Sequence, residues 1–128
     1  MKNILIVEHN QDLLFLLTDV LTKAGFEVTG FVDAKPIMNG RISLPDVFIL
    51  DAEAKPIDGL AICKYLRLKD LTKQIPVIII SSNHGIEKKA ADAGTNSVLR
   101  KPFEVQQLLE VIESHIYTRS DVTYQTRE

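Results

Sequence analysis

The chain has 128 residues, 45% of them hydrophobic and 25% charged, with a formal net charge of −2 and a single cysteine. That length fits one domain whose core needs no covalent staples, and the apolar and charged fractions are those of an ordinary globular protein. The balance argues against direct binding to a nucleic-acid backbone, which needs clustered Lys/Arg; no apolar run reaches the length of a membrane span; and Cys63 alone permits no internal disulfide.

Residues 3–7 form a short apolar run that predicts the first strand. Met1-Lys2-Asn3 enters it directly with no small-residue cleavage site, so no signal peptide is expected. With the unpaired Cys63, read as a small buried hydrophobe, this points to a reducing, cytoplasmic compartment. Leu13, Leu16, Leu17, Val20, Leu21 and Ala24 recur at helical spacing and predict one apolar stripe, with Asn10 as N-cap and Gly25 as stop. A second strand is expected near 27–31, where the alternation and Gly30 suggest an edge or near-edge place. Residues 34–42 make a poor helix, interrupted by Pro36 and Gly40. Residues 46–50 are almost wholly apolar, as in a strand covered on both faces. Gly59 precedes a third helix with Leu60, Cys63 and Leu66 on one side, and Pro76 opens the fourth strand. A short polar helix around 86–93 ends at Gly94, and a short fifth strand follows at 97–100. After Pro102 the residues Val105, Leu108, Leu109, Ile112 and Ile116 form the stripe of a last helix. The polar remainder, Thr118 to Glu128, is expected to fray, with residues 1–118 as the domain and 119–128 as a tail.

Strands alternating with helices predict an α/β fold: an open parallel sheet with helices on both faces, joined by right-handed crossovers. Such sheets bind ligands outside the carboxyl ends of their strands. There the apolar runs end in residues that can handle phosphate: Glu8-His9 after the first strand, Asp51 after the third, Ser81 after the fourth and Lys101 after the fifth. A carboxylate such as Asp51 can attack a phosphoryl donor to give an acyl phosphate. Asp51 and Glu8 could hold magnesium, Lys101 suits the phosphoryl oxygens, and Ser81 can donate one hydrogen bond. Taken singly, each residue is as well explained as a turn cap, a strand end or a solvated charge; their joint placement on successive strands favours a site.

The residues Ile4-Leu5-Ile6-Val7-Glu8, Leu50-Asp51 with Pro56 and Asp58-Gly59, Pro76 through Ser82, Ala93-Gly94 and Lys101-Pro102-Phe103 together resemble the receiver domain of bacterial two-component response regulators, over about residues 2–118. The resemblance implies a five-stranded parallel sheet of order 2-1-3-4-5, the flavodoxin-like receiver fold. It implies phosphorylation of Asp51 by a histidine kinase or histidine phosphotransfer protein, contacts from Ser81 and Lys101, and magnesium held by Glu8, Asp51 and the backbone carbonyl of Glu53. It further implies a signalling domain that catalyses at most its own phosphorylation and dephosphorylation. The donor protein would dock near the first helix and the site loops, and a downstream protein target near the fourth helix, fifth strand and fifth helix. No direct nucleic-acid or membrane partner is expected, and the chain is expected to be a monomer or weak dimer. It ends soon after the last helix, so no DNA-binding or enzymatic output domain is expected.

The chain departs from that pattern in several places. His9 stands where the family has the second acid of the first-strand pair, and Glu8 is one methylene longer than the usual Asp. Imidazole is a poor magnesium ligand, so affinity should fall and His9 is expected outside the coordination shell; a transition-metal site from His9, Glu8 and Asp51 is the alternative. The usual proline sits one residue late, at Pro56, behind Lys55; Val98 replaces the aromatic residue that reports phosphorylation; and the span from Ser81 to Lys101 is about two residues short. These departures motivate a second reading, a degenerate receiver that binds a partner without being phosphorylated. A third, an aspartate-nucleophile phosphatase resembling the haloacid dehalogenase group, is disfavoured because Glu53 is a loose match to its acid–base aspartate and only a helix and polar tail follow Lys101. A flavin carrier is less favoured still, for want of a phosphate loop after the first strand.

Overall fold

Residues of opposite parity on the central strands face two separate cores, which is why these strands read as continuous apolar runs. The computed structural model describes residues 1–116, so the expected tail at 119–128 lies outside the described residues. In chain order the elements are β1 (Asn3–Val7), α1 (Gln11–Lys23), β2 (Glu27–Phe31), α2 (Lys35–Met38), β3 (Val47–Asp51), α3 (Gly59–Arg67), β4 (Val77–Ser81), α4 (Glu87–Ala93), β5 (Ser97–Arg100) and α5 (Val105–Ile116). The strands form one parallel sheet of order β2-β1-β3-β4-β5, as the resemblance implied. Leu5, Val7, Phe48, Leu50, Val77 and Ile79 pack with Ile62, Cys63 and Leu66 of α3. Ile4, Ile6, Ile49, Ile78 and Ile80 pack with Leu17 and Leu21 of α1 and with Leu108 and Ile112 of α5. Each of these side chains contributes about 1.5–3 kcal/mol on burial. Cys63 is buried as expected, and burial pushes its thiol above the ordinary range.

Helix caps match the local chemistry. The Asn10 side chain accepts from the Leu13 amide at 3.0 Å and starts α1, while Gly25, at φ 102°, follows its end. Asp58 does the same for α3, accepting from the Ala61 amide at 2.9 Å. Among the details that differ from the sequence reading, three concern α1, α2 and β3. The α1 stripe runs through Leu13, Leu14, Leu17 and Leu21, whereas Leu16 is 52% exposed and Ala24 is exposed. Both Leu14 and Leu16 sit at helical spacing from the core positions, and β2 settles the choice, because Leu14 covers Gly30 closely there. The helix expected over 34–42 is only α2, four residues long, before Gly40 turns the chain at φ 69°. The third strand is shifted by one residue, so Asp51 is its last member rather than the residue after it. No helix among the described residues is long and apolar enough to cross a membrane.

Candidate functional site

Parallel pairing brings the carboxyl ends of β1, β3, β4 and β5 level, and the backbone ladder continues one residue beyond the strands. Glu8 donates its amide to the Phe31 carbonyl at 3.0 Å, Ala52 to Ile80 at 2.9 Å, and Lys101 to Ser81 at 2.8 Å. Four of the expected site residues therefore converge: Glu8, His9, Asp51 and Lys101. Glu8, Asp51 and Ser81 are fully buried, Lys101 is 15% exposed, and the His9 side chain is 49% exposed.

Asp51 Oδ2 accepts the His9 amide at 3.1 Å and contacts the His9 ring through Nδ1. Asp51 Oδ1 accepts the Glu53 amide at 2.9 Å and the Lys101 ammonium at 3.5 Å. Glu8 Oε2 accepts the Asn10 amide at 2.9 Å. Glu8 Oε1 lies 2.9 Å from the Lys101 ammonium as an ion pair, yet accepts no hydrogen bond of good geometry. The two buried carboxyls separate in acidity. Burial pushes Glu8 up, and the neighbouring Asp51 charge adds to this, against the pull of the Asn10 amide and Lys101. Burial also pushes Asp51 up, but the His9 ring and amide and the Glu53 amide together bring it below the ordinary range. Asp51 is thus the more acidic carboxyl of the pair.

Ser81 does not donate to Asp51. Its hydroxyl donates to Glu53 Oε2 at 2.7 Å, and the Ser82 amide donates to Glu53 Oε1 at 2.8 Å. The sequence reading places the Glu53 backbone in the site and raises its carboxylate as a substitute metal ligand or a charge repelling the phosphoryl group, but does not foresee its contact with Ser81 and Ser82. The sole local signal is an acid two residues past Asp51, and the serines it grips come about thirty residues later.

Glu8, His9 and Asp51 each offer one ligand atom, all within 4.8 Å of one another. The buried, underused Glu8 Oε1 and the Asp51 carboxylate are hard oxygens that fit magnesium; the His9 nitrogen does not. The match to a family model for the response regulator receiver domain covers residues 4–113. The chain belongs to that family. Among relatives of this receiver domain, the response regulator ArlR of Staphylococcus epidermidis is 35% identical over 124 residues, covering 94% of this chain but 55% of ArlR. The chain thus spans about half the length of the curated relatives it matches first. A response-regulator structure from Chloroflexus aurantiacus superposes with a TM-score of 0.84 at 30% identity, covering 90% of this chain and 97% of that one. The receiver domain of the sensor histidine kinase PA1611 from Pseudomonas aeruginosa, whose structure has magnesium coordinated in its active-site cleft, superposes at 0.81 with 24% identity, covering 90% and 97% of the two chains.

One consequence concerns the metal. His9→Asp replaces a nitrogen donor by an anionic oxygen beside Glu8 and Asp51. Magnesium affinity should rise about tenfold, equivalent to ~1.4 kcal/mol, by calorimetric titration of the receiver domain. Equal affinity in the two proteins would mean that His9 is not what limits metal binding.

Proposed function

We propose that this receiver domain is a phospho-acceptor switch of a two-component system, charged on Asp51. The observation that supports this most is the state of Asp51: buried, held ionised, and faced by the Lys101 ammonium at the ligand-binding edge of the sheet. In the transfer, an Asp51 carboxylate oxygen forms a new O–P bond as the P–N bond of a phosphohistidine breaks. The electron pair leaves with the donor imidazole, which takes up a proton from solvent. Lys101 neutralises charge on the phosphoryl oxygens, and the Ser81 hydroxyl and Ser82 amide donate to them. Glu8, Asp51 and the Glu53 carbonyl would hold magnesium, which when bound supplies further charge neutralisation.

The donor would be a histidine kinase or a histidine phosphotransfer protein. Phe15 is 76% and Leu16 52% exposed on α1, the helix that follows the Glu8-His9 loop, and exposed large side chains of that kind fit a helical partner docking beside the site. A downstream protein target on the face of α4, β5 and α5 belongs to the same reading.

The test is incubation with acetyl phosphate and magnesium. Intact mass should show one phosphoryl adduct, stable in acid and labile in base, and borohydride trapping should convert Asp51 to homoserine. The second reading, a receiver that acts without phosphorylation, is favoured by the His9 ring on Asp51 and the Glu53 carboxylate on Ser81. Absence of any adduct would select it.

A further inference from the structure

The Glu53 side chain is a charged group at the site for which the phosphoryl-transfer reading has no use. Its two carboxylate oxygens take two separate donors, the Ser81 hydroxyl at 2.7 Å and the Ser82 amide at 2.8 Å. The Asn83 amide donates to Ser81 Oγ at 2.9 Å, which occupies an acceptor site of that oxygen and turns its proton toward Glu53. The Glu53 amide is itself tied to Asp51 Oδ1. An anion with two oxygens on two donors, anchored beside the acceptor carboxylate, makes the same contacts that an incoming phosphoryl group needs. We propose that the Glu53 carboxylate is a built-in occupant of the phosphoryl donors, and that it must swing out before Asp51 is charged.

This rests on Asp51 being the phospho-acceptor. The motion has room: Glu53 is only partly buried, and its Ser82 contact lies at the surface. The gate therefore sets the charging rate without blocking the reaction outright. It also gives the Ser81 hydroxyl and Ser82 amide a partner before charging. Glu53 touches neither the transferred group nor Asp51 through its side chain, so it is a gating residue rather than a catalytic one.

Glu53→Ala removes the carboxylate while keeping the amide and carbonyl of residue 53. Its phosphorylation by acetyl phosphate with magnesium should be about tenfold faster than wild type, as expected when a competing charged hydrogen bond is lost. Glu53→Asp keeps the charge but is a methylene too short to hold both serines, and should also be faster. In hydrogen exchange, the Ser82 amide should be slow in wild type and faster in Glu53→Ala, a readout that does not depend on phosphorylation, while the amides of β3 and β4 stay slow in both and show that the variant is folded. A wild-type adduct with Glu53→Ala no faster overturns the gate and leaves the acceptor reading standing. Acceleration in Glu53→Ala but not in Glu53→Asp assigns the effect to charge repulsion and overturns the hydrogen-bonded gate. A Ser82 amide that exchanges equally fast in both proteins overturns it as well. No adduct in any of the proteins overturns the gate and the acceptor reading together.

Discussion

Asp51→Asn is expected to abolish the phosphoryl adduct on intact mass while leaving a folded protein. None of the neighbouring carboxyls can take over. Glu8 is engaged by the Asn10 amide at 2.9 Å and by the Lys101 ammonium at 2.9 Å, so its oxygens are already held by other partners. Glu53 already spends both oxygens on Ser81 and Ser82. The carboxamide oxygen introduced by the substitution can still accept from backbone donors, so the loop geometry has a route to survive. Acid unfolding supplies a second readout. The folded Asp51 lies below its ordinary value of 3.8, so its contribution to stability is present above that value and is lost as pH falls through the folded pKa. Glu8 lies above its ordinary value of 4.5; its contribution is present below that value and is lost as pH rises through the folded pKa. Urea midpoints measured downward from pH 5 should therefore fall more steeply in wild type than in Asp51→Asn. An adduct of wild-type yield in Asp51→Asn would move the acceptor elsewhere.

Local rules carry much of this fold. The apolar strands, the Asn10 cap and the Gly25 and Gly94 stops depend on neighbours a few residues apart, which is the range that periodicity and capping describe. The level strand ends follow from parallel topology, so the convergence of Glu8, Asp51 and Lys101 is legible before any coordinates. What stays hidden are choices made by tertiary contact. Leu14 rather than Leu16 faces inward because of Gly30 in the neighbouring strand. The Glu53 carboxylate points to Ser81 and Ser82 because β3 and β4 end side by side, which no spacing rule encodes. In sequence His9 reads as a replaced metal ligand; its contact with Asp51 also makes it part of what keeps that carboxylate ionised. The Asp58-Gly59 pair reads only as a family signature. Its two residues have separate physical duties, the first as the cap of α3 and the second as a spacer against Asp51.

That second duty predicts the largest loss of stability. In Gly59→Ala the new methyl would lie 2.6 Å from the Asp51 carbonyl oxygen, 2.8 Å from its carbon and 3.1 Å from the Ala52 nitrogen. All three are backbone atoms, so no side chain can rotate aside. Relief requires α3 to move away from β3 at its first residue, where Ile62, Cys63 and Leu66 anchor the helix in the core. Overpacking of this kind costs about 3 kcal/mol, more than the roughly 1 kcal/mol of helix propensity gained when Gly becomes Ala. The urea midpoint should fall with an unchanged m-value, and the melting temperature by roughly 10 °C. The same displacement pushes on the backbone of the acceptor itself, so charging of Asp51 should slow even in the fraction that stays folded. Glycine at position 59 thus ties the packing of α3 to the placement of the reactive carboxylate. A Gly59→Ala protein with wild-type midpoint and wild-type labelling rate would show that α3 adjusts freely, and would separate the two.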